Sequence, residues 1–289
     1  MKKLIELMIE CGAGDAAAVK YIDCEIINER LVGKIPFEPK SVCIGTIPYY
    51  THYCEETKNV SAYALAYDYH TYIQKLGETI IEKARAIYPE ANFICFGDHS
   101  PINEKTAAAK AGLGIIGEHS LLITPKHSSY VFLFEIISDI ECNNQAMDIL
   151  SCEKCGKCKN ACPADFSDKK TCLSAISQKK GNLTENETSL IKESSCAWGC
   201  DICQEVCPHT KYAKSQGTIY TDTPWFNNNV LNNASEESVT DVHDFQLRAY
   251  SWRGCATILR NISIIDSKTN GKNKWYILFM EIPERVKLK

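Results

Sequence analysis

The sequence predicts an α+β protein with more than one domain. Its 289 residues exceed the length of a typical single domain. Residues 1–145 alternate strand-like and helix-like stretches, which is typical of a mixed α/β domain. From about residue 146 the composition changes to cysteine, lysine and small polar residues, and a polar linker with a short helical segment follows. We therefore expect domains at residues 1–145, 146–214 and 215–289.

Four strands and two helices account for the first domain. Each strand is a β-branched or apolar run, and the residues are 41–50, 92–98, 120–124 and 129–137. Helical periodicity marks residues 60–89, and an alanine-rich helix spans residues 102–111. Ser100 and Pro101 look like the N-cap and first residue of that second helix. Gly112 is suited to a left-handed residue at its end.

Composition excludes several classes of protein. A hydrophobic content of 45% can build a core, so a mostly disordered chain is excluded. Glu6 and Glu10 interrupt the N-terminal apolar residues, so this stretch predicts an amphipathic helix and not a signal peptide. The longest apolar run, residues 130–137, is too short to cross a bilayer and contains Glu135. The net charge is −4, and the sequence contains no strongly basic patch of the kind that binds nucleic acid. We expect a cytoplasmic monomer without membrane association, whose thiols stay reduced.

Eight cysteines form two closely spaced runs. The runs are Cys152-x2-Cys155-x2-Cys158-x3-Cys162-Pro163 and Cys200-x2-Cys203-x3-Cys207-Pro208. The first run matches the signature of bacterial ferredoxins that carry two iron–sulfur clusters. Short spacers let consecutive sulfurs converge on one cube, and the three-residue step turns the next cysteine towards the other cluster. The pattern therefore predicts a ferredoxin-like domain with two [4Fe–4S] clusters, which moves electrons.

Two other functions compete for these cysteines, and one ligand of the second cluster stays open. Zinc ribbons also use CxxC pairs, but a ribbon has no use for the third cysteine or the proline; a disulfide scaffold is the weaker alternative. The predicted first cluster takes Cys152, Cys155, Cys158 and Cys207. The predicted second cluster takes Cys162, Cys200 and Cys203, together with either Cys172 or Cys196. Spacing does not decide between the last two.

A second candidate site lies where residues 92–98 meet the following helix. Asp98 and His99 stand at the end of the predicted strand, a position where ligands often bind in α/β folds. Gly112, Gly114 and Gly117 would let the backbone approach a large flat or anionic ligand. A turn that packs two elements together explains these glycines equally well. An N-cap explains Asp98 equally well.

Eight segments carry a resemblance to a known family. In chain order they are PKSVCIGTIPYY, SAYALAYDYHTYI, GDHSPINEK, AAAKAGLGIIGEHSLLITP, FLFEIISDIE, CEKCGKCKNACPADF, KKTCLSAIS and GCDICQEVCPHT. Together they resemble the epoxyqueuosine reductases, the cobalamin-dependent iron–sulfur enzymes of queuosine biosynthesis. The AGLGxIG stretch upstream of the paired cysteine runs is the most specific part of this combination.

The resemblance implies an oxidoreductase that converts epoxyqueuosine in a tRNA anticodon loop to queuosine. Electrons from an external one-electron donor such as flavodoxin or ferredoxin would pass through the two clusters to cobalamin. Asp98 would be the proton donor, with a pKa raised by the neighbouring Phe96; His99 and His119 are the next candidates. Cys172 would be the fourth ligand of the second cluster, and Cys196 would be extra. The implied cofactor-binding residues are Asp98, His99, Ser100, Gly112, Gly114, Gly117 and His119.

Three departures from the family pattern bear on the substrate. Glu104-Lys105 stands where the family has Glu-Arg, and lysine lacks the bidentate fork of arginine. Glu118-His119 stands where the family has Lys-Asn, and the sequence leads us to expect a member with a shortened helical-repeat C-terminus. Two alternatives therefore remain. One is a corrinoid iron–sulfur reductase of another substrate, either reductive dehalogenase-like or acting on a small nucleoside. The other is a non-enzymatic electron carrier of the ferredoxin type.

Overall fold

A computed structural model describes residues 1–270 of the chain, which divides into two compact units. The first unit comprises Met1–Thr57, Ala62–Cys162 and Asp201–Asn232. The second comprises Lys58–Ser61, Pro163–Cys200 and the chain from Asn233 onward. These boundaries differ from the three predicted segments because the first cysteine run groups with the N-terminal sheet.

The elements follow one another in this order. The first unit begins with α1 (Lys2–Glu10), β1 (Asp15–Lys20), α2 (Glu29–Val32), β2 (Ser41–Pro48), α3 (Tyr69–Ile87), β3 (Phe93–Phe96), α4 (Glu104–Lys110), β4 (Ile115–Ile116), β5 (Leu122–Ile123), β6 (Val131–Ser138) and α5 (Lys157–Ala161). The second unit then contributes α6 (Leu173–Ser177) and α7 (Glu185–Ser194). The first unit resumes with α8 (Ile202–Glu205), α9 (Pro208–Ser215) and α10 (Pro224–Asn227). The second unit ends with α11 (Glu236–Thr240), α12 (Val242–Gln246) and α13 (Cys255–Asn270). Short 3-10 turns lie at Tyr21–Asp23, His52–Glu55, Ala62–Ala64 and Ser251–Arg253.

The first unit is built on an antiparallel sheet in the order β1-β2-β6-β3. Every residue of the central strand β2 is buried, as expected for a strand that is covered on both faces. On one face α4 packs its alanines against Val42, Ile44 and Ile137. On the other face Gly45 leaves room for Phe134 and for Met8 of α1, since a side chain there would collide with the Phe134 ring. The fold class is therefore mixed α and β, as predicted.

The second unit described here is helical. Helix α13 contacts α6 and α7. Asn261 is fully buried on α13 and donates hydrogen bonds to the carbonyl oxygens of Ser177 (2.7 Å) and Ala197 (2.8 Å). Trp198 is fully buried, and its ring centroid lies 6.0 Å from that of Tyr250. These contacts give the unit its own core.

Local chemistry explains where the observed elements differ from the predicted ones. The predicted helix over residues 60–89 begins only at Tyr69, because the Asp68 side chain accepts the His70 backbone N–H and caps α3. The prediction that Ser100 caps the next helix is wrong. Asn103 caps α4 by accepting the Thr106 N–H at 3.4 Å. Gly112 follows α4 with φ of +87°, in the predicted left-handed conformation.

No helix in the part of the chain covered by the structure is long and apolar enough to cross a membrane.

Candidate functional site

An open pocket lies at the end of β3 in the first unit. It encloses about 910 Å³ of empty space, including the part open to solvent. Its walls are mainly aliphatic and aromatic, and a few polar groups face it. The lining residues come from β6, β5, α4 and the ends of α3 and β3: Ile27, Tyr69, Asp98, Ile102, Asn103, Glu104, Lys105, Leu121, Leu122, Ser129, Val131, Phe132 and Leu133. A large ligand with an apolar body and a few polar groups suits such a cavity.

Asp98 is held at the pocket by its backbone. Its φ is +62°, a left-handed conformation that aspartate adopts more readily than most residues. Its N–H donates to Oε1 of Glu104 at 3.1 Å, and its side chain caps no helix because Asn103 has that role. The alternative of Asp98 as an N-cap is therefore wrong. Asp98 instead lines the pocket.

A chain of three side chains runs from Asp68 through His70 to Asp98. Nδ1 of His70 lies 2.7 Å from Oδ1 of Asp68, and Nε2 lies 3.2 Å from Oδ2 of Asp98. The hydrogen bond to Asp68, and then the one to Asp98, raise the pKa of His70 to about 9. The bond from His70 in turn lowers the pKa of Asp98. The expectation that Phe96 would raise the pKa of Asp98 is therefore wrong, since hydrogen bonding outweighs desolvation here.

Tyr69 connects this chain of side chains to the wall of the pocket. Its ring stacks on Phe132 at a centroid distance of 3.9 Å and on His70 at 4.1 Å. The Tyr69 hydroxyl contributes to the lowered pKa of Asp98, and burial raises the pKa of the phenol itself. The phenol therefore stays protonated beside the Asp98 carboxylate.

Two neighbouring carboxyl groups, the buried Glu135 and the partly buried Glu104, lie beneath the Asp98 turn. Glu135 is fully buried on β6 and accepts a hydrogen bond from the Ser100 hydroxyl. Burial raises its pKa to about 7, and burial together with Glu135 raises the pKa of Glu104 well above its usual value. Two neighbouring carboxylates repel each other, so the pair retains a proton at neutral pH. Ser100, a predicted cofactor-binding residue, thus contacts this pair. His99 is exposed and is absent from the pocket lining.

The glycine segment packs against its own chain. A side chain at Gly114 would collide with the backbone carbonyl of Ile123, and one at Gly117 would collide with the His119 ring. A Cβ at Gly112 would meet Sδ of Met147 at 2.8 Å. These close approaches explain the glycines within the fold. Their predicted contact with a corrinoid, like that of His99, Ser100 and His119, stays a prediction.

A second cavity is lined by the four cysteines of the predicted first cluster, all in the first unit. It encloses about 300 Å³ of empty space, including space open to solvent. Its lining residues are Glu118, His119, Ile123, Cys152, Glu153, Cys155, Cys158, Cys207, Pro208 and His209. Left-handed residues, Lys154 (φ +52°) and Gly156 (φ +73°), curve the first run around the cavity. Pro208 begins α9 directly after Cys207, as Pro does at first helical positions.

One loop, residues 118–123, lines both cavities. Leu121 and Leu122 face the Asp98 pocket, whereas His119 and Ile123 face the cysteine cavity. Hydrogen bonds connect this loop and the preceding strand β4 to the first cysteine run: Cys152 N–H donates to the Ile116 carbonyl of β4 at 3.1 Å, and Glu118 N–H donates to Sγ of Cys152 at 3.3 Å. The pocket and the cysteine cavity are therefore neighbours that share a wall.

The other predicted ligands are distributed over the chain. Cys162 and Cys203 belong to the first unit, and Cys172 and Cys200 belong to the second. The Cys196 thiol donates to the carbonyl oxygen of Gly199 at 3.0 Å. Among residues 1–270 no three His, Cys, Asp or Glu side chains are arranged to hold a single metal ion. The ligand set of the second cluster stays a prediction.

Sequence reasoning did not assign a role to five of these residues: Asp68, Tyr69, His70, Glu104 and Glu135. Two signals could have found some of them. A histidine two residues after a capping aspartate brings the two side chains together at a helix start. A carboxyl group inside a wholly apolar strand, as at Glu135, has to share a proton or find a partner.

Comparisons with known proteins find relatives of this chain among the epoxyqueuosine reductases. No model of a protein family matches the chain. An epoxyqueuosine reductase of Pseudomonas aeruginosa is 36% identical over 170 residues, which cover 56% of this chain and 46% of that protein. One from Lactococcus garvieae is 26% identical over 252 residues, covering 82% and 71%. The chain spans about half the length of the first of these relatives.

Solved structures show the same fold. An epoxyqueuosine reductase crystallised with an epoxyqueuosine-modified tRNA-Tyr stem loop superposes with a TM-score of 0.73 at 20% identity, covering 91% of this chain and 80% of that one. By sequence the chain is similar to epoxyqueuosine reductases, and it shares their fold.

Proposed function

We propose that this protein is a cobalamin- and iron–sulfur-dependent reductase that converts epoxyqueuosine in tRNA to queuosine. The observation that carries the proposal is the shared wall, residues 118–123, between the Asp98 pocket and the cysteine cavity. An electron-transfer centre in one cavity would lie directly beside a reactive group in the other. A ferredoxin-type carrier would need no such pocket.

The residues of each cavity fit the group assigned to it. Four cysteines around one cavity are the ligand set of a [4Fe–4S] cluster: Cys152, Cys155, Cys158 and Cys207. The Asp98 pocket is large, open and mostly apolar, which suits a corrinoid ring. Bound there, the corrinoid would supply the cobalt redox chemistry that no side chain provides. The proposed ligands of the second cluster are Cys162, Cys172, Cys200 and Cys203.

Residues at the pocket manage one of the two protons that the reaction consumes, and solvent water supplies the other. Reduction of the epoxide to an alkene takes up two electrons and two protons and releases water. Below about pH 9 His70 is a cation whose two N–H groups donate to Asp68 and Asp98. Asp98 is ionised in this arrangement, so the transferable proton resides on His70. We propose that Asp98 passes this proton to the leaving oxygen and that His70 supplies it.

Analysis of tRNA nucleosides tests the proposal. The protein is purified anaerobically, loaded with cobalamin, reduced, and mixed with tRNA from a strain that accumulates epoxyqueuosine. We expect nucleoside mass spectrometry to show conversion to queuosine. A free epoxyqueuosine nucleoside, assayed in parallel, distinguishes the two substrates.

The other outcomes separate the alternatives. Conversion of the free nucleoside without conversion of the tRNA would identify a small-molecule reductase. If the protein retains iron but binds no cobalamin, the result would contradict an enzymatic function and support that of an electron carrier.

A further inference from the structure

His119 has a buried polar atom with no partner in the protein. Among the described residues, no hydrogen-bonding group reaches its Nε2, which is shielded from solvent. The other ring nitrogen, Nδ1, accepts the Leu121 N–H at 3.3 Å. A buried polar group without a partner is costly, and such groups are rare in folded proteins. We therefore expect Nε2 to form a hydrogen bond with a group that is not part of the protein.

The fold fixes both the protonation and the orientation of this ring. Burial, followed by the positive charges of His209 and Lys105, lowers the pKa of His119 to about 4, so the ring is neutral at physiological pH. Because Nδ1 accepts a hydrogen bond, the single proton lies on Nε2. The ring also packs against residue 117, where any Cβ would collide with it. Nε2–H is thus a donor held in one place.

The cavity that His119 lines is the one formed by the four cysteines of the first cluster. The residue before His119 already donates to one of these cysteines: the Glu118 N–H bonds to Sγ of Cys152 at 3.3 Å. The other histidine of the cavity, His209, is different because its Nε2 lies 2.9 Å from Oε2 of Glu153. Of the Nε2 atoms of these two histidines, only that of His119 lacks a partner among the described residues and can donate to the contents of the cavity.

We propose that His119 donates a hydrogen bond from Nε2–H to a sulfur of the first cluster and thereby raises its reduction potential. This proposal rests on the cluster assignment made under the proposed function. A donor to cluster sulfur stabilises the reduced cluster, which carries more negative charge, over the oxidised one. His119 is therefore a positioning and tuning residue of the electron path and not a ligand.

Redox titration of the anaerobic holoprotein, followed by electron paramagnetic resonance, tests the proposal. His119→Phe removes the donor but keeps an aromatic ring against Gly117, and His119→Asn keeps an N–H donor. His127→Leu is the matched control, since His127 is a half-buried histidine of the same unit that bonds to the Ile219 carbonyl and is absent from the cavity lining. We expect His119→Phe to shift one cluster signal to a more negative potential. His119→Asn should shift it less, and His127→Leu not at all.

A second measurement requires no substitution. In wild-type protein labelled with ¹⁵N-histidine, the reduced cluster should show hyperfine coupling to one imidazole nitrogen. Unchanged potential in an iron-replete His119→Phe variant would overturn the proposal. If that variant loses its iron, absence of the nitrogen coupling in wild type would overturn it instead. Wild-type protein that holds no iron after reconstitution would contradict the proposed function itself, so the two failures are distinguishable.

Discussion

Asp98 combines an unusual backbone with a paired side chain. The left-handed φ of +62° turns its carboxylate towards Nε2 of His70, and the Glu104 side chain holds its N–H in that turn. Strained residues of this kind cluster at functional sites. The sequence predicted that this aspartate itself carries the proton. The partner that holds the proton, His70, lies 28 residues away in the chain, so no local pattern reveals it.

Replacing Asp98 by asparagine separates proton transfer from structure. Asp98→Asn should keep both clusters and cobalamin yet lower single-turnover conversion about 10²–10⁴-fold, because the amide cannot relay a proton. The assay uses prereduced protein, so that a difference in rate between the two proteins does not reflect electron delivery. Asp222→Asn, at an exposed aspartate that lines neither cavity, is the matched control and should keep wild-type turnover. Full turnover by Asp98→Asn would remove Asp98 from the proton path.

The Glu104–Glu135 pair predicts a pH dependence of stability. The pKa of Glu135 rises from the ordinary value of 4.5 to about 7 in the folded protein. The folded state therefore holds a proton that the unfolded state loses as the pH rises above 4.5. This stabilising contribution is fully present below the unfolded value and is lost as the pH rises through about 7.

Glu135→Gln should remove this dependence, because the amide does not ionise but can still accept the Ser100 hydrogen bond. The thermal midpoint of Glu135→Gln relative to wild type should rise between about pH 5 and about pH 8. Thermal unfolding of the anaerobic protein at both pH values measures it. A difference between the two proteins that is the same at both pH values would contradict the shared proton.

At the scale of elements, the loop over residues 118–123 joins the two cavities. Gly114 is essential to its path because any Cβ there would collide with the backbone of Ile123 on the paired strand β5. Gly114→Ala should displace the loop and lower both the iron content and the retention of cobalamin. Iron and cobalt per chain are measured by elemental analysis.

Gly33→Ala is the control for this substitution. Gly33 has a φ of −63°, and its Cβ would meet its nearest neighbour, the Arg30 carbonyl oxygen, at an ordinary 3.6 Å. It should leave both metals unchanged. Loss of cobalamin by Gly114→Ala with full iron would show that the loop serves the pocket alone.

Most elements could be predicted from the sequence because their signals are local. Apolar runs located β2 and β6, and alanines located α4. The cap of α4 was misplaced because both Ser100 and Asn103 are good caps, and the Glu135 carboxyl recruits Ser100. The cysteine cavity was predicted from spacing alone. The Asp68–His70–Asp98 chain and the loop between the cavities depend on tertiary contacts that no local pattern encodes.

At the scale of the whole molecule, metal content tests the assignment of all eight ligands. Anaerobically reconstituted wild-type protein should carry about eight irons and eight sulfides. Cys172→Ala should lose about half of the iron, whereas Cys196→Ala should lose none because its thiol donates to the Gly199 carbonyl. Iron and labile-sulfide assays give the result. The reverse pattern would make Cys196 the ligand.

The first unit is discontinuous, and this has a consequence for biosynthesis. Its last segment, Asp201–Asn232, follows 38 residues of the second unit, Pro163–Cys200. Segments leave the ribosome in order, at about 5–20 residues per second. The cavity formed by Cys152, Cys155 and Cys158 thus stays open on the nascent chain until Cys207 emerges. Assembly of the proposed cluster in this cavity would therefore be a late event in synthesis, and a chain that stalls within the inserted segment would expose three of its thiols to oxygen.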